Sequence, residues 1–130
     1  MGAKIGKEIH FTTPDQPGMA GKITREIGKV GVNIEALCAY GMDGKAYFML
    51  ITEDNAKAMD AIRKLHYNPE EKEVILIEVS NKAGAAGEVT EKLGHAGILI
   101  NYIYWTTTRV STTLLVISTR ADQKALKVLA

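Results

Sequence analysis

The sequence predicts an α+β fold built from two β-α-β-β-α-β units in tandem, the second short of its last strand. Two observations predict it: an internal repeat, and the order in which strand and helix patterns alternate. Gly84 stands 66 positions after Gly18, and at that offset Gly18, Ala20, Gly21, Thr24, Gly28 and Gly31 fall on Gly84, Ala86, Gly87, Thr90, Gly94 and Gly97. The apolar positions Ile23, Ile27 and Val30 fall on Val89, Leu93 and Ala96, Ile34 falls on Ile100, and Ile51 falls on Ile117. A self-match at fixed period sets the architecture before any local motif is read. It divides the chain into a first unit, residues 1–72, and a second, residues 73–130.

The first unit can be followed element by element. Glu8 to Thr12 is β-branched and aromatic and reads as a strand; Pro14, Pro17 and Gly18 then punctuate the chain. Ala20, Ile23, Ile27 and Val30 recur at helical spacing, and Gly31 ends the helix in the left-handed conformation that glycine adopts without a Cβ clash. Asn33 to Tyr40 reads as a second strand, Asp43-Gly44 as a hairpin turn with positive φ, and Lys45 to Thr52 as a third strand. Asp54 or Asn55 caps a second helix whose inner face carries Ala58, Ile62 and Leu65. Glu70 to Val79 is an extended stretch that ends the first unit and opens the second.

The second unit repeats the plan with a loop at Asn81 to Gly84 and a helix from Ala86 to Ala96. Strands follow near Ile98 to Thr106 and Thr112 to Thr119, then a helix from Asp122. No room is left for a fourth strand, so that edge is expected either to stay open or to be covered by another segment or chain. The order is the ferredoxin-like plan, an antiparallel sheet with both helices on one face. Ala46 to Ile51 and Leu114 to Ile117 are apolar at successive positions, so both faces of those strands should be dry. Helices cover one face, and self-association, most simply a homodimer, is the expected cover for the other.

Composition narrows the function classes. Lys+Arg 16 against Asp+Glu 15 leaves no electrostatic footprint for nucleic acid or an anionic membrane. No apolar run reaches the ~18 residues of a membrane span, and Met1 to Lys7 has no secretory core. The single cysteine, Cys38, excludes an internal disulfide and favours a reducing cytoplasm. A unit of about 65 residues buries only about 60% of its chain surface, so the two copies are expected to share a core.

The turn from first strand to first helix, Thr13-Pro14-Asp15-Gln16-Pro17-Gly18-Met19, is the most informative local feature. Gly18 lets backbone N–H groups approach a guest, and those groups open a helix whose positive dipole end favours a carboxylate. Asp15 offers a negative group to an ammonium. Its counterpart in the second unit is Ser80-Asn81-Lys82-Ala83-Gly84-Ala85. Asp15-x-Pro17-Gly18, a short helix ending at Gly31, and then Val32-Asn33-Ile34 resemble the signature of the ACT domain. Asn81-x-Ala83-Gly84 through Gly97-Ile98-Leu99-Ile100 resembles a weaker copy, so nearly the whole chain is similar to two ACT units with no attached enzyme.

That resemblance implies an effector amino acid held between the first loop of one unit and the second-strand start of its neighbour. It points to Asp15, Gln16, Gly18 and Met19 in the loop with Asn33 and Ile34 on the strand, and to Asn81, Lys82, Gly84 and Ala85 in the second loop. The second copy departs from the pattern: Pro17 becomes Ala83, and Asn33 becomes Leu99. The nearest amide there is Asn101, which period-two alternation places on the same sheet face as Leu99. A site using the first loop and Asn33 is therefore favoured over one using Leu99.

Other residues read more simply. Period-two counting puts Cys38 on one face with Ile34 and Ala36, as a buried structural thiol. His10, His66 and His95 are widely separated and lack metal-site spacing; His95 suits a helix C-terminus. Gly18-Met19-Ala20-Gly21 superficially matches the Gly-x-x-Gly clamp of KH domains, but it follows a strand and the charge is balanced. Tyr102, Tyr104 and Trp105 cluster on one strand, where sheet packing or an interface outweighs a ligand platform. A phosphate-gripping arginine, as small ferredoxin-like hydrolases such as acylphosphatase use, is missing from Thr12 to Gly18, and no paired carboxylates converge on either loop.

Two non-catalytic readings stand, without cofactor or metal. One is a cytoplasmic amino-acid sensor. The other is a regulatory small subunit docking on an amino-acid-biosynthetic enzyme, in the manner of acetolactate synthase small subunits.

Overall fold

A computed structural model describes residues 2–107 and 111–130. Strands and helices follow in the order β1 (Ala3–Pro14), α1 (Met19–Lys29), β2 (Ile34–Met42), β3 (Lys45–Thr52), α2 (Asn55–Lys64), β4 (Glu70–Ser80), α3 (Ala85–His95), β5 (Ile100–Trp105), β6 (Thr112–Thr119) and α4 (Asp122–Leu129). The fold is α+β, with the expected β-α-β-β-α-β plan run in tandem. The residues group into two compact units, one of Lys7–Lys72 and one of Glu73–Ala130 together with residues 2–6.

In the Lys7–Lys72 unit the strand order is β2-β3-β1. Both pairings, β2 with β3 and β1 with β3, are antiparallel. Ile23 and Ile27 of α1 and Ala58 and Ile62 of α2 pack with Ile9, Phe11, Phe48 and Leu50 into one core. Phe11 and Phe48 stack with ring centroids 4.8 Å apart. Each fully buried isoleucine contributes roughly 1.5–3 kcal/mol of transfer free energy. The Asp43-Gly44 turn carries positive φ at both residues, 54° and 78°, as the hairpin requires. Gly31 stands just past the end of α1 at φ +78°. Asp54 caps α2, its carboxylate accepting from the Lys57 N–H.

The Glu73–Ala130 unit repeats this with the order β5-β6-β4-β1. Val89 and Leu93 of α3 and Ala125 and Leu129 of α4 pack against Ile75, Ile77, Leu115 and Ile117. Its fourth-strand place is not open. Residues 3–6 occupy it, with Ala3 and Ile5 packed against this core. The first strand is therefore longer than Glu8 to Thr12, because its N-terminal end completes the second repeat. Gly6 permits the close approach: a Cβ there would fall 2.3 Å from Leu76 Cδ1. At its other end β1 runs through Pro14, opposite Lys45, because a residue that ends a ladder can lack an N–H.

Three further differences have local causes. A bulge interrupts β2 between Ile34 and Ala36, and another interrupts β5 between Ile100 and Tyr102. Each inserts one residue, Glu35 or Asn101, and reverses the side-chain alternation beyond it. Ile34 thus faces the helices opposite Thr52, whereas Ala36 and Cys38 lie opposite Ile51 and Met49 on the other face. For the same reason Asn101 does not follow Leu99 by simple alternation. The bulge also splits the aromatic cluster. Tyr102 and Tyr104 stack on one face (centroids 6.4 Å apart), and Trp105 lies opposite the core residue Leu115 on the other.

Between equivalent strand pairs the β5–β6 hairpin spans one residue more than the β2–β3 hairpin. The strand partner of Leu37 is Leu50, and that of Ile103 is Ile117, so Ile117 corresponds to Leu50 rather than to Ile51. Met49 and Ile51 are only 8% and 3% exposed within the single chain.

Candidate functional site

Both strand-to-helix corners adopt one backbone. Gly18 has φ +83° and ψ 0°, and Gly84 has φ +84° and ψ −7°. The Met19 N–H donates to the Gln16 carbonyl at 3.2 Å and the Ala85 N–H donates to the Lys82 carbonyl at 3.2 Å. The Lys22 N–H reaches Gly18 O and the Glu88 N–H reaches Gly84 O, each at 3.0 Å. With glycine at the N-cap, neither helix has a side-chain cap. The amides of each first turn point outward at the positive end of the helix dipole, an arrangement suited to a carboxylate.

The side chains at the corners differ. At the first, the Asp15 N–H donates to Gly44 O at 3.1 Å, and its carboxylate lies against Gly41, where a Cβ would fall 2.4 Å from Oδ2. Gln16 and Gly18 are exposed. Met19 is buried in the unit's core, and its Sδ accepts from the Tyr67 hydroxyl at 3.7 Å.

Asn33 and Ile34 stand at the opposite end of the same unit. Ile34 pairs with Thr52 and Met42 pairs with Lys45, whose other neighbour is Pro14. Eight strand residues at about 3.3 Å each separate Ile34 from the corner end of β2, roughly 26 Å. The Asn33 N–H donates to Glu53 Oε1 at 2.9 Å, its carbonyl accepts from the Glu53 N–H at 3.1 Å, and the Ile34 side chain packs into its own core. Within a unit, therefore, the loop residues and the strand residues do not meet.

The second corner is hollow. A cavity of about 450 Å³ opens there, and all four loop residues picked out by the sequence, Asn81, Lys82, Gly84 and Ala85, line it. Val79 and Ala86 add carbon, and Trp105 forms a wall. The Asn81 N–H is held by Ser111 O at 2.9 Å. Thr113 and Thr90 also line the cavity, but their hydroxyls are committed to backbone: Thr113 to Thr106 O, Thr90 to Ala86 O and Gly87 O. Lys82 is the sole charged residue among the described residues of the lining.

Trp105, which the sequence assigns to sheet packing or an interface, is outside the candidate site that it predicts. The signal lay in the repeat comparison, where Ala39 becomes Trp105 and Met19 becomes Ala85. Asn101 is turned to its own sheet, its Nδ2 donating to Ser118 Oγ at 3.1 Å while its Oδ1 accepts from Arg120 Nε at 3.4 Å.

A second polar group lies on the sheet face away from the helices. Glu8 is fully buried, with its Oε1 2.5 Å from His10 Nε2. His10 pairs with Met49, which pairs with Cys38, so histidine and thiol share a face but stand two strands apart, about 10 Å. Burial, assisted by the Glu8 charge, pushes the Cys38 thiol up and favours its protonated form. That is the reverse of what a nucleophilic thiol needs. Among the described residues no cluster of three His, Cys, Asp or Glu could hold a metal ion, and no helix is long and apolar enough to cross a membrane.

No family model matches the chain, and no curated protein sequence matches it. Solved structures do. The crystal structure of protein BT0572 from Bacteroides thetaiotaomicron superposes with a TM-score of 0.88 at 24% identity, covering 98% of this chain and 88% of that one. The ligand-free regulatory subunit of aspartate kinase from Thermus thermophilus gives 0.67 at 13% identity, covering 96% and 94%. A structure of aspartokinase alpha and beta subunits gives 0.64 at 17% identity, covering 99% and 95%. The chain has the tandem ACT-type fold, which it shares with the aspartate kinase regulatory subunit.

Proposed function

We propose that the protein is a non-catalytic regulatory sensor that binds an amino acid at its strand-to-helix corners. The observation that carries this reading is the cavity at the second corner, lined by Asn81, Lys82, Gly84 and Ala85. An α-amino acid is a small zwitterion. Its carboxylate suits the first-turn amides of α3 and the Lys82 ammonium, and Asn81 and the loop carbonyls offer acceptors for its ammonium. The first corner, with Asp15, Gln16, Gly18 and Met19, has the same backbone, and Asp15 supplies the negative group there.

A site that joins this corner to Asn33 and Ile34 needs both from different units, because they stand at opposite ends of one. A second copy of the chain is the source we propose, giving a homodimer in the cytoplasm. A raised thiol pKa at Cys38 supports the non-catalytic part of the reading.

A thermal-shift screen of the twenty amino acids tests the proposal. A ligand at a hundredfold excess over its Kd stabilises by about 2.7 kcal/mol, which for a chain of this size raises Tm on the order of 10 °C. A flat response to all twenty would remove the sensor reading. A second reading, a regulatory subunit docking on an amino-acid-biosynthetic enzyme, is favoured by the shared fold with an aspartate kinase regulatory subunit. Co-purification with a large enzyme subunit is its test, with an acetolactate synthase-like enzyme as the first candidate.

A further inference from the structure

We infer that the second corner selects amino acids with an uncharged, apolar side chain, and that Trp105 and Ala85 set this preference. The inference rests on the sensor reading and specifies what that sensor takes.

The surface that the cavity offers a ligand body is mostly carbon. Val79, Ala85 and Ala86 present methyl groups, and the indole of Trp105, the only tryptophan of the chain, forms a wall. Trp105 is 48% exposed although it stands on the helix-facing side of β5, opposite the fully buried Leu115. An exposed indole beside a hollow is apolar surface that a ligand side chain can remove from water. Two of the four lining hydroxyls, those of Thr90 and Thr113, are already donated to backbone carbonyls, which leaves only Ser80 and Thr107 to meet a polar side chain.

Charge excludes the other classes. A basic side chain needs an acidic partner, and no acidic residue is found among the described residues of the lining. An acidic side chain needs a second cation, whereas Lys82 is the single charge among the described residues of the lining and is matched by the ligand's α-carboxylate. The room comes from one difference between the repeats. Where α1 opens with Met19, whose side chain is buried and meets Tyr67, α3 opens with Ala85 on the same backbone.

Tryptophan emission of the full-length chain reads this cavity directly. L-leucine, L-methionine or L-phenylalanine should shift the emission of Trp105 to shorter wavelength and raise Tm, while L-aspartate, L-lysine and glycine at equal concentration should do neither. Ala85→Met, which refills the cavity, should abolish both responses. Trp105→Ala, a change at an exposed position, should weaken the thermal response roughly tenfold or more in ligand concentration. It guards against the case in which Ala85→Met fails to fold.

A Tm rise with silent Trp105 emission, undiminished in Trp105→Ala, would overturn this inference and leave the sensor reading standing. A response to aspartate or lysine in place of the apolar set would overturn the assigned side-chain class. No Tm change with any of the twenty amino acids would remove the sensor reading and this inference with it.

Discussion

The two corners share a backbone to within a few degrees at Gly18 and Gly84, yet one carries a buried methionine and the other a hollow walled by an indole. Duplication preserved what the main chain needs: a glycine at positive φ, a carbonyl two residues before it to receive the first helical N–H, and a buried stripe on the helix that follows. Two side-chain exchanges, Met19 for Ala85 and Ala39 for Trp105, changed what the corner can hold. Backbone geometry and side-chain filling are thus separable in this protein, and equivalence in one does not carry over to the other.

The sharpest way to break this comparison is to exchange the two first-turn side chains. Met19→Ala should cost about 2–4 kcal/mol, because it empties a buried position in the core that holds stacked Phe11 and Phe48. Ala85→Met should cost less, about 1–3 kcal/mol from overpacking, since part of the added chain enters the cavity. Urea unfolding measures both, and equal costs would show that the two corners are equally filled.

Backbone equivalence is tested at the glycines. Gly18→Ala and Gly84→Ala should each destabilise by about 1–2 kcal/mol, and by the same amount. A Cβ at either position meets nothing within 4 Å, so the whole effect comes from the positive φ. A clear difference between the two variants would mean that one corner is held by something beyond its own turn.

The helices that close each repeat differ in the same manner. Asp54 caps α2 through the Lys57 N–H, whereas Ala121, at nearly the same φ, leaves α4 without a side-chain cap. Asp54→Ala should lose about 1 kcal/mol, and Ala121→Asp should gain roughly half that, both seen in thermal unfolding. No gain at Ala121 would indicate that a side-chain acceptor adds nothing to the first-turn amides of α4.

The smallest effect concerns the sheet face away from the helices, where Cys38 stands at the position of Tyr104. With its pKa raised by burial and by the Glu8 charge, Cys38 holds less thiolate at any given pH than a free thiol does. Alkylation with iodoacetamide should therefore be slower than for a free cysteine at neutral pH, and its pH midpoint should lie higher. Glu8→Gln should move that midpoint down. An unchanged midpoint would leave burial as the whole cause.

Much of the architecture was legible because short-range chemistry specifies it. Asp43-Gly44 specifies its turn, Gly31 its helix end, Asp54 its cap, and the Ile23–Ile27 and Val89–Leu93 stripes their helices. Period-two counting failed at Glu35 and Asn101, because a bulge costs one residue and leaves no mark on hydrophobicity. It therefore misplaced Cys38 relative to Ile34, and Asn101 relative to Leu99. The residues of the second loop were legible as a candidate site from the repeat and the turn alone. That they surround a cavity was not, since Trp105 reaches them from a strand some twenty residues downstream.

What the chain determined by itself is the repeat, the strand and helix order, and the two glycine corners, because each follows from a conformational preference that acts within a few residues. Tertiary structure alone decided the rest. Residues 3–6 complete the second repeat although they begin the first, because a sheet edge is satisfied by whichever strand reaches it with matching backbone and apolar side chains. And the corner with the weaker motif carries a hollow, because empty volume depends on how far side chains from separate strands extend, a quantity that no local pattern encodes.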